Sequence, residues 1–112
     1  MSPSHNETTM VLIARKDLKL SAGKLAVQCS HAATSCALAA SKSEKRILER
    51  WKNDGARKIC LQIEDLSSLQ KLAGQAQSAN LITHLVKDAG HTEIPSGTIT
   101  VLGIGPGTRR SI

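Results

Sequence analysis

Aromatic side chains are almost absent from this chain, which has no Phe, no Tyr and a single Trp, Trp51. A core must therefore be filled by Leu, Ile, Val and Ala. The stacking platforms by which single-strand nucleic-acid modules hold bases are excluded as well. Cysteine is scarce: Cys29, Cys36 and Cys60 are odd in number and form no C-x-x-C pair. Neither a disulfide scaffold nor a zinc ribbon is indicated. The first ten residues hold no apolar leader, and no run approaches the ~18 apolar residues of a membrane span. The expectation is a cytoplasmic protein with no membrane partner.

What is present suits one small α/β domain. The 112 residues are enough for one domain and too few for two. A domain of this length buries roughly two-thirds of the surface of its unfolded chain. Residues 1–8 read as a flexible polar tail and 9–112 as a single domain. Fifteen Lys and Arg against nine Asp and Glu give a formal charge of +6, which favours a polyanionic partner. Many bland proteins share such a charge, so it singles out no function alone.

Residues 9–15, TMVLIAR, have the length and β-branching of a buried strand. After the loop KDLKL, a helical pattern opens at Ser21 as N-cap and runs to about Ala40. Its apolar face comprises Ala22, Leu25, Ala26, Cys29, Ala32, Ala33, Cys36, Ala37 and Ala40, small enough for close packing. Lys24, Gln28, His31 and Ser35 form a second, polar stripe, of a kind that usually faces water. Here the stripe begins at a helix N-terminus following a strand, where backbone N–H groups can receive a phosphate. Residues 43–54 read as a second helix stopped by Gly55, and 57–64 alternate as a strand, with Ile59, Leu61 and Ile63 on one side. Asp65 or Ser67 caps a third helix whose buried face is Leu66, Leu69, Leu72, Ala73 and Ala76. Residues 81–86 and 98–104 are the last two strands. The order β-α-α-β-α-β-β predicts a sheet covered by helices, with parallel crossovers. A short connection lets the last two strands pair antiparallel, making the sheet mixed.

Three segments then arrive in order: KDLKLSAGKLAVQCSHA at 16–32, G-x-R-K-I at 55–59 and KDAGHTEIPSGTITVLGIGP at 87–106. Together they resemble the archaeal and eukaryotic, or Pth2, type of peptidyl-tRNA hydrolase, over nearly the whole chain beyond residue 8. The resemblance implies a three-layer α/β/α domain with a four-stranded mixed sheet, commonly a homodimer, with no cofactor and no metal. It implies hydrolysis of the ester between a peptide and the 3′-terminal ribose of tRNA, with peptidyl-tRNA as partner. It also implies site positions at Lys24, Gln28, Asp88, Thr92 and Thr98, with a basic residue at Lys87. Departures are His91, where the family is usually basic, Glu93 for Gln, and Pro95-Ser96-Gly97 for Pro-Gly. Family members also continue past the Gly-Pro with a further helix, so that helix is expected to be missing here.

The residues suggest roles of their own. Ester hydrolysis needs a group to orient water, a donor for the oxyanion, and cations for phosphates. Asp88 opens the turn after the third strand, where it can orient or deprotonate water, or simply cap the bend. Lys24 opposes the helix dipole, and holding an oxyanion or phosphate is a reason for that. Lys19 and Lys87 can extend its positive patch. Gln28, one turn on, either donates to the substrate or faces solvent. Thr92 and Thr98 read as supports for water or oxyanion, since no Ser-His-Asp or Cys-His spacing is recognisable. His31, about 10 Å along the helix from Lys24, reads as a substrate-binding wall or a structural histidine. His91, also placed at the substrate, loses its charge above about pH 6.5. Two alternatives stay open at this point: a non-catalytic RNA-binding module and a protein-interaction adaptor.

Overall fold

The computed structural model describes residues 7–89, 95, 97–108 and 111–112. Along the chain run β1 (Thr8–Arg15), α1 (Ala22–Ser43), α2 (Lys45–Asn53), β2 (Lys58–Ile63), α3 (Leu66–Ser78), β3 (Thr83–Lys87) and β4 (Ile99–Thr108). This is the expected order. The four strands form one sheet ordered β2-β1-β4-β3. β2 is parallel to β1, while β4 runs antiparallel to both β1 and β3. Three strands therefore point one way and β4 returns between them.

Alternation along β1 divides the core into two layers. Met10, Leu12 and Ala14 face α1 and α2, packing with Ala32, Cys36, Trp51, Val86 and Val101. Val11 and Ile13 face α3, packing with Leu69, Ala73, Ala76, Leu102 and Ile104. The domain is thus a three-layer α/β/α sandwich. Aliphatic side chains fill it, and a fully buried one such as Leu69 or Leu102 contributes about 2 kcal/mol. Trp51, the one aromatic residue, donates its indole N–H to the Arg57 carbonyl at 2.8 Å. The Lys58 ammonium lies 5.1 Å from its ring centre, so Trp51 ties α2 to the start of β2.

Two expectations change. β4 continues to Thr108 rather than ending near 104. Gly105, Pro106 and Gly107 look like a terminating turn, yet Gly107 and Thr108 pair with Thr9 and Thr8 across a register shift. The buried line of α1 is also rotated: it is Gln28, Ala32, Cys36 and Ala40, whereas Ala22 and Ala26 are exposed. Alanine is apolar enough to sit on either side of a helix boundary, so the pattern alone drew the face too broad. α1 is pressed close to the sheet at Gly103, where an added Cβ would lie 2.8 Å from Cys36 Sγ and 3.2 Å from Ala32 Cβ.

Candidate active site

The rotation of α1 brings the polar stripe inward at its first two members. Ser21 caps the helix by accepting from the Lys24 backbone N–H, which fixes where the first turn begins. From there Lys24, Gln28, Ala32, Cys36 and Ala40 descend at four-residue steps onto the sheet. The lower three are apolar core. The upper two meet polar groups at the C-terminal ends of β1 and β3, the edge of an α/β sheet where ligands characteristically bind.

Asp88 follows β3 directly. Its backbone N–H donates to the Thr98 carbonyl at 2.8 Å, and its carbonyl accepts from Gly97 N–H at 2.7 Å. Those bonds close the mouth of the β3–β4 connection, where Gly97 has φ 86°, a conformation glycine tolerates. The Asp88 side chain is 1% exposed and the Lys24 side chain 10%, with Lys24 Nζ 2.9 Å from Asp88 Oδ2. A carboxylate and an ammonium so far out of water are costly unless paired. The pair also answers why a lysine occupies the first turn of a helix.

Gln28 is 4% exposed and Thr100 is fully buried. The Thr100 hydroxyl donates to Gln28 Oε1 at 2.6 Å. With the carbonyl end of the amide so engaged, the Gln28 NH2 end is turned away from Thr100. Thr100 was absent from the expected site. Strand alternation from Leu102, which packs toward α3, hides it, because β4 carries a bulge: Val86 pairs with Val101 but Lys87 pairs with Ile99. An extra residue in one strand re-aims a side chain, and here Thr100 is turned toward α1 together with Val101. The register shift leaves no mark in composition, although the T-x-T spacing at 98–100 was visible.

The other expected residues fall as follows. Thr98 spends its hydroxyl within the turn, donating to the Pro95 carbonyl at 2.8 Å. Lys19, at φ 51° in the β1–α1 loop, and Lys87, on β3, are both exposed. His31 is exposed on α1. His91 and Thr92 lie outside the described residues. One unexpected cation stands at the same end of the sheet. Arg15 donates to the Ile99 carbonyl at 3.0 Å and pairs with Asp17 at 2.8 Å, pinning the start of β4 to the end of β1.

Across α1 from Asp88, Ala14, Leu25, Ala26, Cys29 and Cys60 line an open apolar groove of about 630 Å³. Burial, aided by the neighbouring Cys60, pushes the Cys29 thiol up to about 11, and burial alone does the same for Cys36. Both thiols are therefore protonated at neutral pH and unsuited to nucleophilic attack. The polar side chains that the fold gathers at this rim are Lys24, Gln28, Asp88 and Thr100.

A family model described as peptidyl-tRNA hydrolase PTH2 matches residues 8–112. The probable peptidyl-tRNA hydrolase 2 of Schizosaccharomyces pombe is 44% identical over 93% of this chain and 51% of its own length. The peptidyl-tRNA hydrolase of Thermococcus sibiricus is 45% identical over 87% of this chain and 82% of its own. The mitochondrial peptidyl-tRNA hydrolase 2 of Mus musculus is 41% identical over 90% of this chain and 56% of its own. The chain thus spans about half the length of these two eukaryotic relatives and most of the archaeal one.

Proposed function

Because the chain belongs to the peptidyl-tRNA hydrolase PTH2 family, we propose that it hydrolyses the ester joining a peptide to the 3′-terminal ribose of tRNA. The observation that carries this reading is the buried 2.9 Å contact between Lys24 and Asp88, one helical turn from the Gln28–Thr100 pair. A carboxylate, an ammonium and an oriented amide meet there at one rim of the sheet.

In the proposed reaction a water molecule, oriented by the Asp88 carboxylate, attacks the acyl carbon and gives its proton to that carboxylate. Negative charge develops on the former carbonyl oxygen. The Gln28 amide N–H and the Lys24 ammonium stabilise it, donors prepositioned before the reaction begins. Collapse breaks the bond to the ribose oxygen, which takes up a proton and leaves as the tRNA 3′-hydroxyl. The peptide departs as a carboxylate. Thr98, whose hydroxyl bonds the Pro95 carbonyl, belongs to this proposal as a support beside Asp88, and Thr92 as a hydroxyl for the water or the oxyanion. His31, Lys19, Lys87 and His91 are the residues it assigns to substrate binding.

The test is release of free tRNA from N-acetylated aminoacyl-tRNA, measured in EDTA and again in Mg²⁺. Turnover in both supports the reading; no turnover in either removes it.

Self-association belongs to the same proposal. β2 is an edge strand, and Leu61 on it is 52% exposed. The Arg57 and Ile63 carbonyls accept bonds from the Met10 and Lys16 N–H groups, so by alternation the backbone groups of Lys58, Cys60 and Gln62 point outward, ready for another strand. Sedimentation at micromolar concentration should show a dimer that Leu61→Lys converts to monomer; a monomeric wild type contradicts it. We further propose the cytoplasm as its compartment, in keeping with three free cysteines. Among the described residues no helix is long and apolar enough to cross a membrane.

A further inference from the structure

Catalysis, on the reading above, uses one end of α1. The opposite end carries three cations that, among the described residues, form no ion pair. Lys42 in the last turn of α1, and Lys45 and Arg46 at the start of α2, are all exposed. With Ser43 and Glu44 they line a shallow depression of about 400 Å³. Among the described residues, ion pairs join Arg15 to Asp17, Lys24 to Asp88, Lys52 to Glu49 and Arg57 to Glu7. Lys42, Lys45 and Arg46 take part in none.

A basic helix junction is ordinarily a solvated surface. This one differs in its alignment with the reaction site. Lys24 and Lys42 stand in one continuous helix, about five turns apart at 3.6 residues per turn, so they leave the same flank ~27 Å from each other. His31 and Ser35 fall within about 20° of that line. α1 contains no acidic residue. The flank therefore reads the Lys24–Asp88 pair, imidazole, hydroxyl and then the cationic cluster, and α1 itself sets no carboxylate against an approaching anion before Glu44.

The length of that flank approaches one turn of a nucleic-acid duplex, about 34 Å in B form and shorter in the A form of RNA. Single-stranded RNA would need stacking surfaces, and the one aromatic side chain, Trp51, is buried. From these observations we propose that Lys42, Lys45 and Arg46 bind backbone phosphates of the base-paired arm of tRNA, while its 3′ end occupies the Lys24–Asp88 site. The inference rests on the peptidyl-tRNA reading for its substrate. It adds a second, distant contact that measures the arm rather than its sequence, since phosphate contacts position without specifying bases.

The test compares two substrates bearing the same acetyl-aminoacyl ester: intact tRNA, and a short 3′-terminal oligonucleotide with no duplex. For the triple variant K42E/K45E/R46E, KM on intact tRNA should rise at least tenfold in moderate salt, with kcat within twofold. The salt slope of binding should shrink by about three, roughly one per lost phosphate contact. On the oligonucleotide, wild type and variant should perform alike. Single variants control for net charge: K45E should raise KM on tRNA severalfold, and K71E, at an exposed position of α3, should leave it unchanged. Unchanged KM in the triple variant, equal effects of K45E and K71E, or an equal loss on the oligonucleotide would each overturn the proposal. Binding of deacylated tRNA is measured in parallel and involves no chemistry. A wild type that binds through this patch but hydrolyses neither substrate would remove the catalytic reading and leave the patch standing.

Discussion

Lys24 and Asp88 illustrate how a residue that looks misplaced along the helix is explained across the fold. Taking the ammonium away leaves a carboxylate that is 1% exposed without the Lys24 contact, and breaking one side of a buried pair costs about 3–5 kcal/mol. Thermal denaturation should therefore show Lys24→Met to be strongly destabilised, with Asp88→Asn added to it recovering part of the loss; an additive double variant would contradict the coupling. Thr100 offers a finer test, because its hydroxyl holds the carbonyl end of the Gln28 amide and so leaves the NH2 end for the proposed oxyanion. Thr100→Val should lower kcat about tenfold or more with little change in KM, and Thr100→Ser should restore most of it. Equal rates in both variants would show that the hydroxyl does not orient the amide. At this scale the sequence showed Lys24, Gln28 and Asp88 through their segments. Thr100 stayed hidden because the β4 bulge, not alternation, decides where it points.

Among the elements, α1 governs the site, and its depth on the sheet is set by small residues. Gly103 faces Ala32 and Cys36 so closely that a methyl group would stand 2.8 Å from Cys36 Sγ. Overpacking of this kind costs roughly 1–3 kcal/mol. Gly103→Ala should lower the melting temperature and also the hydrolysis rate, since lifting α1 draws Lys24 and Gln28 away from Asp88 and Thr100. Adding Cys36→Ala should return part of both, and a Gly103→Ala protein as stable as wild type would contradict the close packing. Element types and order were legible because each strand and helix carries its own period, and Ser21 and Asp65 mark two helix starts as caps. The helix rotation was not legible. An alanine-rich face has no sharp edge, and Gln28 is drawn inward by Thr100, which lies 72 residues away in sequence.

At the scale of the whole molecule, the fold brings the first turn of α1 to the β3–β4 connection, and that meeting is what the proposed chemistry requires. Surplus positive charge, +6 in all, draws a polyanion to the surface, but hydrolysis depends on the two segments sharing one site. The most direct measurement is the single-turnover rate of tRNA release from acetyl-aminoacyl-tRNA at saturating enzyme, for wild type, Asp88→Asn and Lys24→Met at a temperature where all three are folded. Both variants should fall by at least a hundredfold, each alone nearly as far as the two combined, as groups acting as a unit do. Wild-type rates in both variants would contradict the account.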